Sequence, residues 1–275
     1  GPQLSDTTIT VAAGTRLDLH THGGEIVVDS WERNEVRIQA THGSRDSISV
    51  TRSGDVVRVR SDSRRGAPGI VDYRVTAPAA MDLDLGGLYA DIAVTGSRGQ
   101  VQARTVNGDI HITGGTGQVS AESVQGDVTV ESARAAVRAR SVAGRVRVVD
   151  VTGTIDAETV SGGVVLERVE SGQVEASAVS GGIYFDGPIV SDGRYSFVSH
   201  SGRVTLAMPA APDATVTVAT LSGSLSSSFP AIAGTSIRRG SRESFVIGNG
   251  SARIEAESFS GDIRIVRRGE VSPPR

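Results

Sequence analysis

Apolar and polar residues alternate in short bursts along most of this chain, and the bursts recur. The stretches VQAR (101–104), VSAE (119–122), VRAR (137–140), IDAE (155–158) and VEAS (174–177) share one apolar–polar–apolar–polar pattern. Between them lie TVNGDIHI (105–112), SVQGDVTV (123–130), SVAGRVRV (141–148), TVSGGVVL (159–166) and AVSGGIYF (178–185). Their leading glycines, Gly108, Gly126, Gly144, Gly162 and Gly181, stand 18, 18, 18 and 19 residues apart. Val101, Ile110 and Val119 are nine apart, so each repeat holds two halves. Alternation with period two predicts a short strand in each half, and a glycine in every repeat among β-branched residues argues against helix.

A strand of four or five residues cannot bury its apolar side alone. Stacking each repeat on the next at about 4.8 Å buries that side and pairs every backbone group with a neighbour. The predicted fold is therefore all-β: a single-stranded β-solenoid, or parallel β-helix, with coils of about 18 residues. Val106, Val124, Val142, Val160 and Val179, just before the corner glycines, are expected to point inward. The glycines are expected to take a positive φ there, which a side chain would resist.

Outward rows support the same register. Arg104, Glu122, Arg140 and Glu158 fall on one column with alternating sign, and Arg138 stands beside Asp156. Opposite charges on neighbouring strands contribute roughly 0.2–1 kcal/mol each, and a shifted stack would bring like charges together.

Later corners at Gly202, Gly223 and Gly261 continue the pattern with longer connections. Insertions are expected at Asp186–Tyr195, Met208–Asp213 and 228–248, each rich in Gly, Pro or Ser. The strand-like TVTVA (215–219) and ARIEA (252–256) continue the second half-turn between them. The first 84 residues have longer strands and the single Trp. They predict an N-terminal β-structured cap over the first coil, since an open coil edge invites aggregation, with a separate folding unit as the alternative. Residues 85–268 form the solenoid and 269–275 a flexible tail, with Pro273 and Pro274 ending strand pairing.

Composition narrows the chemistry. Aromatics are only 4% of the 275 residues, so the interior must be thin and made of Val, Ile, Leu and Ala. A net charge of -3 and a sequence pI near 6.0 disfavour a nucleic-acid partner. There is no Cys, which excludes disulfides, thiolate metal sites and cysteine catalysis. No apolar run is long enough to span a membrane. Every basic residue is Arg. Gly1-Pro2 reads as the remnant of a cleaved tag, consistent with a natural leader having been removed.

The segments GGEIVVDSWERNEVRIQA (23–40), VDYRVTAPAAMDLDL (71–85), the repeated [ST]V.GD[VI] corners and SARIEAESFSGDIRIV (251–266) together resemble the bacterial DUF4097 family of adhesin-like, β-strand repeat proteins. That resemblance covers nearly the whole chain. It implies an extracytoplasmic protein of the cell envelope, periplasmic or at the cell surface. Arg145 and Gly163 replace the corner aspartate, which argues against a charge-dependent role for it.

Asp109, Asp127 and Asp262 follow corner glycines but lack the flanking glycines of calcium-binding β-rolls, and read as turn residues. His20 and His22 share one strand side and His42 could join them on zinc or copper, although exposed strand histidines are common. His111 reads as a surface residue. His200 lies beside Ser199 and Ser201, but neighbours on a strand face opposite ways, so a catalytic pair is not expected. No GxSxG elbow or phosphate loop is present, and GGTG (114–117) reads as a turn. Tyr184, Phe185, Tyr195 and Phe197 gather near the first insertion and are the candidate contacts for a sugar or protein, with packing of an irregular coil as the plainer reading.

The sequence thus points to a non-enzymatic, adhesin-like binding or scaffolding module without cofactor. Its partner is an unknown protein or polysaccharide at the cell envelope. A carbohydrate-active β-helix enzyme and a filament-forming protein are the alternatives. Two carboxylates converging in a groove would favour the enzyme.

Overall fold

The computed structural model describes every residue of the 275 except 235, 236 and 239, which fall within the expected insertion at 228–248. Among the described residues there are twenty-four strands and no helix long and apolar enough to cross a membrane. The chain divides into two compact units, residues 1–135 and 136–275.

The first unit contains β1 (Gln3–Thr10), β2 (Arg16–Trp31), β3 (Glu35–His42), β4 (Asp46–Ser53), β5 (Val56–Ser63) and β6 (Asp72–Pro78). It continues with β7 (Asp82–Ser97), β8 (Val101–Asn107), β9 (Ile110–Gly114), β10 (Thr116–Gln125) and β11 (Val128–Glu131). Antiparallel pairs β1–β3, β3–β6 and β4–β5 distinguish the N-terminal region. Parallel stacking nevertheless begins at β2, which runs beside β7 from Arg16↔Asp82 to Val28↔Val94. Coil stacking therefore starts inside the segment expected to be only a cap. From β7 onward the predicted register holds: Leu83↔Val101, Val119↔Val101 and Val128↔Ile110 are partners.

β12 (Arg134–Ser141) crosses the unit boundary. The second unit goes on with β13 (Val146–Val149), β14 (Ile155–Thr159), β15 (Val164–Glu167), β16 (Gln173–Ala178), β17 (Ile183–Asp186) and β18 (Arg194–Ser199). It ends with β19 (Val204–Met208), β20 (Ala214–Thr220), β21 (Leu225–Ser227), β22 (Arg242–Ile247), β23 (Ala252–Ser258) and β24 (Ile263–Arg267). Val137, Ile155 and Val174 stack in parallel register on one side of the coil, and Val146, Val164 and Ile183 on the other. These inward residues and the alanines between them are buried, which gives the thin Val/Ile/Ala interior that the composition requires.

The last coils do not stack in chain order. β23 pairs with β18 on one side and β20 on the other, and β24 lies between β19 and β21. The C-terminal coil is thus inserted beneath one that precedes it in sequence. Pro273-Pro274 accordingly does not protect a terminal edge. Beyond β20 lies the antiparallel β22, part of what was expected to be a plain insertion. The tail also packs: Val271 covers an outward apolar cluster of Val165, Tyr184, Ala207 and Val266.

The corner motif has a physical explanation that differs from the one expected. Gly126, Gly162, Gly181, Gly202, Gly223 and Gly261 do not have positive φ. Instead, a Cβ at any of them would collide with the carbonyl oxygen of the corner glycine in the neighbouring coil. The glycines permit close stacking of backbone on backbone. Three residues earlier, a buried hydroxyl completes the corner. Ser123 Oγ donates to Gly108 O at 2.7 Å, Thr159 Oγ1 to Gly144 O at 2.6 Å and Ser258 Oγ to Gly202 O at 2.8 Å. Ser199, Thr220 and Ser258 also accept their own corner glycine's N–H. The corner aspartates act on the outside: Asp109 Oδ1 accepts the N–H of Asp127, and Asp262 Oδ1 that of Ser224.

Candidate functional site

The corner valines overturn one expectation. Val106 and Val124 in the first unit, and Val142, Val160 and Val179 in the second, point outward and are between 38% and 47% exposed. The preceding residue, Thr105, Ser123, Ser141, Thr159 or Ala178, is buried and takes the inward position, and in all but Ala178 it carries a hydroxyl. Alternation then turns the valine to the surface. The same position in the later coils of the second unit holds His200, Phe259 and Leu221: Ser199, Ser258 and Thr220 align, in that spatial order. Leu221 and Phe259 are exposed too.

Val160, Val179, His200, Leu221 and Phe259, all in the second unit, line an open groove of about 590 Å³. Its apolar wall comprises Val160, Val179, Val198, Leu221 and Phe259, with His200 stacked on Phe259 at 4.9 Å between ring centres. The floor has little hydrogen-bonding capacity to spare. Thr159, Ser199, Thr220 and Ser258 donate inward to glycine carbonyls. The corner backbone is used from coil to coil, as in Ser180 N to Val160 O, Ser201 N to Val179 O and Leu221 N to Phe259 O. The rim carboxylates Glu158 and Glu257 are ion-paired with Arg140 and Arg242.

His200 Nδ1 lies 3.2 Å from Ser201 Oγ, closer than strand alternation allows, because both residues follow the end of β18 at a bend. Glu158 and Glu257 are three strand steps apart, roughly 14 Å at normal strand spacing. That is too far for a glycoside-cleaving pair. A smaller depression holds Glu175, Arg194, Arg253 and Glu255. Its two glutamates flank Ser196, two strand spacings apart at roughly 10 Å.

The four aromatics suggested as contacts are not on the surface. Tyr184, Phe185, Tyr195 and Phe197 are all buried. Phe197 replaces the small residues Ala176 and Ala256 of the adjacent strands and packs at 5.1 Å against Phe185. Tyr195 lies within β18 rather than in the insertion, where its hydroxyl donates to Ser171 O and accepts from Val190 N. Burial pushes the phenols of Tyr184 and Tyr195 above the ordinary tyrosine range. Phe185, Tyr195 and Phe197 pack against one another inside the coil, and Tyr184 lies on its outer face beneath Val271, so all four serve packing rather than contact. The groove was missed because an isolated Val before a glycine carries no sequence sign of its direction. The hydroxyl that stands beside it in every corner but that of Ala178 was the available signal.

The histidines separate. His42 bonds Ser5 Oγ at 2.8 Å, and His22 packs edge-on against Tyr89. His20 faces Asp18 and Asp84 instead. His111 lies outward, 3.5 Å from Glu131. The predicted charge column is present where Arg104 meets Glu122 and Arg140 meets Glu158, but Asp156 receives Arg140 at 3.1 Å although Arg138 is its register partner.

Comparison with known proteins gives the remaining context. Three solved structures match the chain at low identity. One is described as a candidate cell adhesion protein from Clostridium sporogenes, with 9% identity, 98% of this chain and 100% of that one covered, and a TM-score of 0.23. Another is a candidate adhesin from Bacteroides fragilis, with 12% identity, coverage of 96% and 97%, and a TM-score of 0.48. A third is a candidate lipid-binding protein from Parabacteroides distasonis, with 10% identity, 96% of each chain covered and a TM-score of 0.46. No curated protein matches the chain. The Toastrack DUF4097 pattern matches residues 3–156 and 152–266, nearly the full length and with the β-solenoid-like architecture described above. The chain therefore belongs to the Toastrack DUF4097 family.

Proposed function

We propose that this protein is a non-enzymatic binding module of the bacterial envelope, adhesin-like in that it displays a rigid contact surface, and that its groove takes an aliphatic chain. The observation that carries this reading is the groove lined by Val160, Val179, Val198, Leu221 and Phe259. Burying aliphatic surface there is favourable by roughly 25 cal/mol per Å². A sugar or an added β-strand needs hydrogen-bond partners, and the floor's hydroxyls and backbone groups already have theirs. Ion pairing on the rim offsets the charges of Glu158 and Glu257, which suits an uncharged chain better than an ionic group. The family resemblance supports the envelope location.

A fluorescent acyl ester, which carries no charge, provides the test. Saturable binding at one site per chain is expected, with loss in a Val179→Asp/Leu221→Ser variant whose melting temperature stays near that of the parent. Equal binding by parent and variant would remove the groove as the site. Binding of oligosaccharides but not of the acyl probe would replace the reading with a carbohydrate-directed one.

A further inference from the structure

We infer that Asp18, His20 and Asp84 in the first unit form a binding site for a single divalent transition-metal ion of the zinc type. Asp18 and His20 lie two apart on β2, so their side chains share a face. Parallel pairing places Asp84 of β7 directly beside Asp18 and Gly86 beside His20. One ligand atom from each of the three residues falls within 4.8 Å of the others. His20 Nε2 is 3.2 Å from Asp18 Oδ1 and 3.4 Å from Asp84 Oδ1.

These separations match the edges of a coordination polyhedron. Zinc bonds to imidazole and carboxylate of roughly 2.0–2.1 Å, set at tetrahedral angles, put neighbouring donor atoms about 3.3 Å apart. Two carboxylates in register on adjacent strands repel each other, and Arg60 and Arg58 offset that repulsion from the Asp18 side alone. A proton on Nε2 offsets the remainder only partly, because one N–H points at two oxygens. A divalent ion satisfies all three lone pairs at once and leaves a fourth position for water.

The surroundings fix the ligands. The imidazole lies against Gly86, where a Cβ would come within 2.6 Å of Nδ1 and 2.8 Å of Cε1. Any other residue at 86 would displace the ring. Asp18 is buried and oriented by Arg60, whose Nη2 donates to Oδ1 at 3.0 Å, with Arg58 Nε 3.7 Å from Oδ2. A carboxylate oxygen has a second lone pair, and hydrogen-bonded carboxylate ligands are usual in metal sites. The half-exposed sides of His20 and Asp84 leave the ion a path from solvent.

Titration of the full chain with zinc chloride in a calorimeter tests the site. Saturable binding of one ion per chain is expected. His20→Gln and the near-isosteric Asp84→Asn should each weaken it by more than about tenfold, while His22→Gln leaves it unchanged. Melting the metal-free variants checks that each remains folded. Absence of saturation at millimolar zinc, or unaltered affinity in both His20→Gln and Asp84→Asn, would overturn the proposal in favour of a proton shared between imidazole and carboxylates. Cobalt(II) supplies a second measurement: visible bands of four-coordinate geometry are expected in the parent and not in Asp84→Asn.

Discussion

Thr159 Oγ1 donates to the carbonyl oxygen of Gly144, one coil away, at 2.6 Å and fully out of water. The bond explains why a hydroxyl stands three residues before a corner glycine in so many repeats. A carbonyl left without a partner in a dry interior is costly. Thr159→Val keeps the shape and removes the donor, so it should destabilise by about 1–3 kcal/mol in urea unfolding. Ala178 is the coil position that lacks the hydroxyl. Ala178→Ser, aimed at Gly162 O, should add about 0.5–1.5 kcal/mol. No gain would mean that this coil's geometry differs from its neighbours'.

Gly261→Ala should cost about 3 kcal/mol or more, because its Cβ would overlap Gly202 O and only a backbone shift relieves the clash. Gly172→Ala meets nothing closer than a Val190 methyl at 3.5 Å and should leave the midpoint nearly unchanged. Thermal melts of the two variants side by side decide whether spacing between coils, rather than backbone freedom, is the constraint.

Phe197→Ala should lose about 3–5 kcal/mol, the cost of a large buried side chain and the cavity left behind. Acyl-probe affinity, measured where the variant is still folded, should be unaltered. A selective loss of binding with stability intact would restore the aromatic group as a contact site.

Asp262 gives a pH dependence with a defined sign. The Ser224 N–H and hydroxyl hold its carboxyl below the ordinary aspartate value of 3.8. A depressed folded-state value adds stability above the unfolded value, and that contribution disappears as pH falls through the folded one. Unfolding free energy of the parent should therefore drop on acidification below about pH 4. Asp262→Asn should be less stable near neutrality and flatter in that acid range. Parallel curves for parent and variant would show that the bond contributes nothing.

Removing Ile155–Gln173 deletes one whole coil and leaves Val174 to stack on Val137, so the remainder should still melt cooperatively. Removing only Ile155–Gly163 joins unlike faces of the coil and should abolish the transition. Circular dichroism melts of both deletions distinguish these outcomes.

The repeat was legible because strand alternation is local and recurs at a constant interval. Val101, Val119 and Val137 announce their inward direction in any reading of period two. The direction of Val160 was not legible, because it follows from the Thr159 hydroxyl reaching a carbonyl 15 residues away in sequence, and that of Val179 follows only from Ala178 stacking in register on Thr159. The partners of His20 were likewise hidden: Asp84 lies 64 positions along the chain and meets it only through the β2–β7 register.

By itself, the sequence determined the all-β winding, the coil length, the thin Val/Ala interior and the family, since all of these repeat within one or two coils. Tertiary structure alone decided the order of the last coils, with β23 and β24 inserted between earlier strands, and which side chains face water at the corners. Both depend on which coil happens to lie next in space. That adjacency is set by backbone pairing between distant segments, on which local patterning has no hold.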